Sequence, residues 1–287
     1  MQFVSTIIIP TLKHPNFLST CIRGLLQNSA HRHKIIIVCS FPRTKADDFL
    51  INPETQEKYQ EYETISEYLN ANAELLTGCD IETIDATDKF VAFAEKYRRG
   101  EIYADKYEIQ DGVDIAFKNN IGIEHTDTDW IIPNWDDDFY PSPAWDDNLL
   151  YIADKYKRNR TIFIPTHVQP LKFDKVPVVK DIWSEFRHIA CNRLMFPTDK
   201  DYVTDEEWTE FCQKWSRWRM EIEPCGLRDR LHWVPILYRK EHLEEVGLYS
   251  YKGSGYDVEF DTRFAEHRFF KAGSLSSFVG HKLHVVI

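Results

Sequence analysis

The sequence predicts an α/β fold in which a mostly parallel sheet is flanked by helices. The first reason is a βαβ pattern. Ser5-Thr6-Ile7-Ile8-Ile9-Pro10 is an unbroken β-branched run, with the strand read from Phe3 to Ile9. Phe17, Leu18, Cys21, Ile22, Leu25 and Leu26 then recur at helical spacing before a second apolar run, Ile35-Ile36-Ile37-Val38. Nearly all-apolar strands joined by an amphipathic helix belong in a parallel sheet covered on both faces. The second reason is that the alternation continues: a loosely helical stretch from Thr55 to Leu76, a strand at Ile81–Ile84, helices over 86–98 and 112–123, and a strand at Asp129–Pro133.

Pro141 and Pro143 are expected to start a helix through Leu149, Leu150 and Ile152, because proline fits a first helical turn. A strand follows at Thr161–Ile164. From Thr166 to about Arg230 the pattern loosens and implies no topology. Trp208, Trp215 and Trp218 in that stretch suit one buried helical stripe better than a sugar-stacking surface. Order returns with a strand at Trp233–Tyr238, a helix at Lys240–Val246, a Gly253-Ser254-Gly255 loop, a helix from Asp257 to Phe270 and a strand at Leu275–Val279. The expected organisation is one domain over 1–287: a half over 1–165, and a half over 166–287 that carries an inserted region at 166–231.

Composition narrows the function. A formal charge of −11 repels a polyanion, so nucleic acid is not an expected partner. An acidic protein that handles nucleotide phosphates is expected to recruit a divalent cation. Six cysteines without a C-x-x-C pair read as free thiols rather than a zinc or redox motif. With no basic-then-apolar leader and no stretch of ~20 apolar residues, the expectation is a cytoplasmic chain without a transmembrane segment.

Chemistry concentrates in two segments. Trp135-Asp136-Asp137-Asp138 follows directly on an apolar strand, so its carboxylates enter the crevice at the carboxyl end of a parallel sheet, where open α/β folds bind ligands. Hard carboxylate oxygens suit Mg²⁺ or Mn²⁺; the same residues also read as solvated loop or helix caps. The second segment is Gly255-Tyr256-Asp257-Val258-Glu259-Phe260-Asp261-Thr262-Arg263, where Asp257 alone reads as a capping residue after a glycine-rich turn.

Together these segments resemble the inverting family-2 type of glycosyltransferases with the GT-A fold. Ser5 to Thr11 looks like that family's first strand and nucleotide-contacting Pro-Thr loop, with Pro10 and Thr11 at the contact. Lys118-Asn119-Asn120-Ile121-Gly122-Ile123, then Asp129–Ile132 and Asp136-Asp137-Asp138, resembles its Asn-x-Gly-Ile helix, fourth strand and Asp-x-Asp motif. The resemblance implies a nucleotide-sugar-binding half over 1–165 and an acceptor-side half over 166–287. It implies that Asp138 ligates Mn²⁺ or Mg²⁺, that Asp136 contacts the ribose or the metal's water, and that Asp137 and Asn120 line the nucleotide site.

By the same resemblance Asp257 is the general base, and His281, with His284 as second choice, completes the metal site. Tyr256 stands where the family has Glu, and Glu259 where it has Asp. Ser40 replaces the Asp that in the family meets uracil, so a UDP-sugar is the implied donor with GDP or dTDP open; the acceptor is a carbohydrate or other hydroxyl. Lys118 reads as a solvated helix lysine, or as a phosphate contact. Two rivals stand beside this reading. A nucleotidyltransferase would need a glycine-rich basic loop after its first strand, which Pro10-Thr11-Leu12-Lys13-His14-Pro15 is not; a non-catalytic sugar- or partner-binding protein would keep the fold without the activity.

Overall fold

A computed structural model of the chain describes residues 3–11, 15–40, 64–78, 80–100, 111–136, 138–157, 160–172, 193–200, 203–215, 221–226, 235–251 and 256–281. Its centre is β1 (Ser5–Thr11), which pairs in parallel with β2 (His33–Cys39) on one side and β4 (Trp130–Pro133) on the other. β3 (Ile81–Asp85) extends the sheet beyond β2, and β9 (Tyr238–Arg239) closes the other edge antiparallel to β4. The order is therefore β3-β2-β1-β4-β9.

Every residue of β1 is buried. Alternate side chains of a strand go to opposite faces, and both faces of this one are covered. Ile7 and Ile9 pack with Leu18, Cys21, Ile22 and Leu25 of α1 (Pro15–Asn28) and with Trp145, Leu149 and Ile152 of α6 (Trp145–Lys155). Ile8 packs the other way, with Phe90 and Phe93 of α4 (Thr87–Arg98), Ala116, Phe117 and Ile121 of α5 (Asp111–Glu124), and Phe260 and Phe264 of α9 (Tyr256–Glu266). Two short helices, α2 (Ile65–Ala71) and α3 (Ala73–Leu76), lead into β3.

A second sheet is organised around β10 (Phe270–His281). One edge of β10 runs parallel to β6 (Thr161–Lys172), which in turn pairs with β7 (Arg193–Thr198). The opposite edge is shared end to end by β8 (Glu221–Gly226), near the start of β10, and the two-residue β5 (Asp138–Phe139), near its end. Phe163 and Leu237 exchange backbone hydrogen bonds of 2.9 and 2.8 Å and so join β6 to the segment that enters β9. The described parts of 166–231 thus supply strands of the second sheet and its covering helix α7 (Asp205–Trp215). Trp208 is buried there, against Phe139 and over the bare backbone of Gly280, as the stripe predicts; the side chain of Trp215 and the whole of Trp218 lie outside the described residues.

Three expectations need correction. The helix expected from Pro141 and Pro143 begins only at Trp145, because Ala144 before it is left-handed (φ 53°), which turns the chain after Pro143. The helix expected to reach Phe270 ends at Glu266. Arg268 adopts φ 58° and Phe269 N–H closes on Phe264 C=O, a terminating geometry that glycine usually announces, and Phe270 already opens β10. The strand expected from Trp233 pairs only from Leu237 onward among the described residues. The end of α8 (His242–Val246) and the residues just after it are held by Arg263, which donates to the carbonyls of Val246 and Leu248.

A buried polar cluster anchors α6. His33 Nδ1 meets Ser5 Oγ at 2.7 Å and its Nε2 meets Asp146 at 2.9 Å, while Asp146 also accepts the amides of Ala30 and His31. Burial alone would raise the Asp146 carboxyl, but the His33 hydrogen bond and the two amides outweigh it and hold the group below the usual carboxylate range.

α5 approaches β1 closely because residue 122 has no side chain. A Cβ there would lie 2.3 Å from Ile8 Cγ2 in the middle of the core. Gly122→Ala is therefore expected to destabilise the fold by about 1–3 kcal/mol, the usual range for overpacking, read as a lower urea midpoint with an unchanged slope.

Candidate active site

The carboxyl ends of β1, β2 and β4 bring the predicted residues to one edge of the first sheet. Beyond Pro133, Asn134 N–H still bonds Ile8 C=O at 2.8 Å, so the parallel ladder continues one residue past β4. Asn134 then donates to the Trp135 carbonyl, and its own carbonyl oxygen accepts from the buried Tyr140 hydroxyl. Asp138 Oδ2 accepts Trp135 N–H at 3.0 Å, and Asp138 N–H meets the Trp135 carbonyl at 3.3 Å. Asp136, 5% exposed, accepts the Thr11 hydroxyl at 2.9 Å. Asp137 lies outside the described residues.

The turn hands the chain to the second sheet. Asp138 opens β5 and is paired in register with His281, the last residue of β10. Directly opposed residues of an antiparallel pair share a face of the sheet, so positions 138 and 281 fall on one face at the junction of the two sheets. His284 lies outside the described residues.

A group the sequence reading missed lies beneath Thr11. Lys118, read as a solvated lysine, is 1% exposed, which corrects that expectation. Its Nζ donates to Asp114 Oδ2 at 2.6 Å and to the Thr11 carbonyl at 2.8 Å. Asp114 Oδ1 accepts Ser40 Oγ at 3.2 Å, so the hydroxyl that follows β2 meets a buried carboxylate supplied by α5. The available signal was the i,i+4 spacing of an acid and a lysine on a helix whose other residues are mostly apolar.

Asn120 commits its amide elsewhere. It donates to the Tyr249 carbonyl and the Tyr251 hydroxyl and accepts Tyr249 N–H, all at 2.9–3.0 Å, which fixes the segment leading into α9. Asp257 is the second residue of that helix. Pro10 is buried in β1, paired with Val38.

As to metal chemistry, no cluster of three or more His, Cys, Asp or Glu side chains is gathered at ligating distance among the described residues. Asp136 and Asp138 nevertheless offer hard oxygen donors suited to Mg²⁺ or Mn²⁺. Burial pushes the thiol of Cys39, next to this group, up to about 12 despite the nearby Lys118. Cys21, Cys39 and Cys212 are free and buried. A cavity of about 350 Å³ bounded by Leu25, Ser29, His31, His33 and Asp80 lies at the amino ends of β1 and β2 and includes none of these residues. Among the described residues no helix is long and apolar enough to cross a membrane.

Mixed, mostly parallel sheets flanked by helices in this arrangement form an α/β GT-A fold. Solved structures of glycosyltransferases share it. GalNAc-T7, crystallised with UDP, GalNAc and Mn²⁺, superposes with a TM-score of 0.54 at 10% identity, covering 99% of this chain and 44% of its own. Two structures of S. aureus TarS do likewise: residues 1–349 at 0.51 and 8% identity, covering 97% and 60%, and a second structure at 0.52 and 8%, covering 97% and 36%. The chain thus spans less than two thirds of the length of each. No family model and no curated protein sequence matches it.

Because Asp114 and Lys118 are buried together, removing one leaves the other's charge without its partner. Asp114→Ala should destabilise the protein by about 3–5 kcal/mol, measured by chemical unfolding. Single substitutions on exposed helix faces should stay within about 0.5 kcal/mol.

Proposed function

We propose that the chain is an inverting glycosyltransferase that moves a sugar from a nucleoside-diphosphate donor, with UDP the leading base, to an acceptor hydroxyl. The observation that carries this reading is the convergence of positions 136, 138 and 281 at the carboxyl edge of the sheet, where the β5–β10 register sets Asp138 opposite His281 and Thr11 binds Asp136. The shared fold with GalNAc-T7, whose crystals held UDP and Mn²⁺, supports a donor and cation of that kind.

In this reading Asp138, Asp136 and His281 hold a Mn²⁺ or Mg²⁺ ion, which when bound offers positive charge to the diphosphate and to the leaving group. Asp137 is assigned to the nucleotide. Pro10 and Thr11 close its phosphate side, and Ser40 offers the base one neutral hydrogen bond. Asn120 serves the site indirectly, by fixing the segment that precedes α9.

Asp257, in the first turn of α9, is the base. The helix dipole favours its ionised form, and it takes the acceptor hydroxyl's proton as that oxygen attacks the anomeric carbon opposite the departing diphosphate. One displacement of this geometry inverts the anomeric configuration. Nucleic acid has no part in this reading, and the cellular location proposed is the cytoplasm.

Nucleotide-dependent thermal shift tests the donor half. With Mn²⁺ present, UDP at about 100 times its Kd should stabilise the protein by about 2.7 kcal/mol, and Asp138→Ala should abolish the effect. Equal stabilisation of that variant, or none of the wild type by UDP, GDP or dTDP, would remove the assignment. The acceptor half is tested separately: Asp257→Asn should keep donor binding while transfer falls by about 100-fold or more, the range for loss of a general base. Retained transfer excludes Asp257 as the base.

A further inference from the structure

The ends of β1 and β2 are held by a buried ion pair that no step of the proposed transfer uses. Lys118 and Asp114 lie one turn apart on α5, with side chains 1% and 9% exposed. Burying two charges is unfavourable unless their geometry is good, and an apolar pair of similar volume would serve stability as well. What an apolar pair cannot do is hold a carbonyl. Lys118 Nζ donates at 2.8 Å to the carbonyl of Thr11, at the last position where β1 is in register with β2. The hydroxyl of that same Thr11 donates to Asp136 at 2.9 Å. One residue is therefore gripped from below by Lys118 and grips Asp136 above.

We propose that Lys118 is a positioning residue: oriented by Asp114 and acting through Thr11, it fixes the direction in which Asp136 presents its carboxylate to the donor complex. The inference rests on the reading of Asp136 given under Proposed function. Lys118 itself touches no reacting atom. Its part resembles that of the outer partners that orient metal-binding side chains, whose removal commonly weakens metal binding 10- to 100-fold.

The test compares the full wild-type chain with four variants. Asp114→Leu with Lys118→Met removes both charges and keeps apolar volume. Thr11→Val removes only the hydroxyl and carries little risk to folding. A triple variant combines them, and Asp114→Asn with Lys118→Gln keeps a neutral donor for the Thr11 carbonyl. Mn²⁺ affinity is measured by calorimetry in the presence of UDP, melting temperature in its absence, and backbone amide exchange over 134–139 without metal.

The charge-removed pair and Thr11→Val should each weaken Mn²⁺ binding by about 10- to 100-fold without a matching fall in melting temperature. The triple variant should be no weaker than either, because both changes cut one chain of contacts, and the Asn–Gln pair should restore most of the loss. Losses that multiply in the triple variant, or unchanged affinity in the charge-removed pair, overturn the proposal. If wild type takes up no Mn²⁺ with UDP, the metal assignment itself fails, and amide exchange then decides: faster exchange over 134–139 in both designs, and no faster in the triple, upholds Lys118 as positioning residue. Unchanged exchange overturns it. Should the charge-removed pair fail to fold, Asp114→Asn with Lys118→Met takes its place, since it differs from the Asn–Gln pair only in leaving the Thr11 carbonyl without a donor; equal Mn²⁺ affinity of those two pairs overturns the proposal.

Discussion

The chain must leave a parallel sheet at Pro133 and enter an antiparallel pairing at Asp138, and the rest of the structure depends on that crossing. The ladder of the first sheet is carried to Asn134 by its bond to Ile8. The second sheet takes over when Asp138 pairs with His281. Between them side chains take part in satisfying the backbone: Asn134 Nδ2 donates to the Trp135 carbonyl, and Asp138 Oδ2 accepts Trp135 N–H. The packing beneath is equally specific. Phe139 rests on Trp208, which in turn needs Gly280 without a side chain, since a Cβ there would lie 2.1 Å from the ring. A helix from the stretch 166–231 thus fixes the position of a turn formed by the first half of the chain.

α5 connects that crossing to the second segment of interest. Its face toward β1 carries Gly122 against Ile8, which sets the helix close to the strand. One turn earlier Lys118 reaches the end of the same strand, and Asn120 reaches across to Tyr249 and Tyr251 before α9. A motif that resembles a family signature is thereby resolved into separate physical tasks: close approach, a buried donor to a strand end, and a tether for the helix that carries Asp257.

The centre of the first sheet was legible because β1 and β2 are β-branched runs buried along nearly their whole length, a pattern that half-exposed strands, with their alternating polar residues, do not produce. The place of the acidic run was legible for the same reason, since a strand end can be read even when its partners cannot. The second sheet was legible only in part: strands were expected at Thr161–Ile164, which opens β6, and at Leu275–Val279, which lies within β10. β5 has two residues and β8 contains a proline, so neither has the composition of a buried strand. The end of α9 was hidden by Arg268, which adopts the left-handed conformation without being glycine. The role of Lys118 was hidden by a sound generalisation, that a helix lysine is usually solvated.

The electrostatics of the site follow from how its donors are chosen. The charge of Lys118 is directed at Asp114, 2.6 Å away, and at a neutral carbonyl. Asp136 accepts a hydroxyl, from Thr11, and Asp138 accepts a backbone amide, from Trp135. Neutral donors fix the direction of a carboxylate without cancelling its charge, whereas an arginine or lysine in the same place would occupy the site that a cation needs. Under the proposed function, a chain of net charge −11 keeps this buried ammonium below the strand end and turns the Thr11 hydroxyl and the Trp135 amide toward the carboxylates that would meet a cation. In that reading the lysine sets the strand end in place through Thr11, and Asp136 and Asp138 would carry the charge that a cation requires.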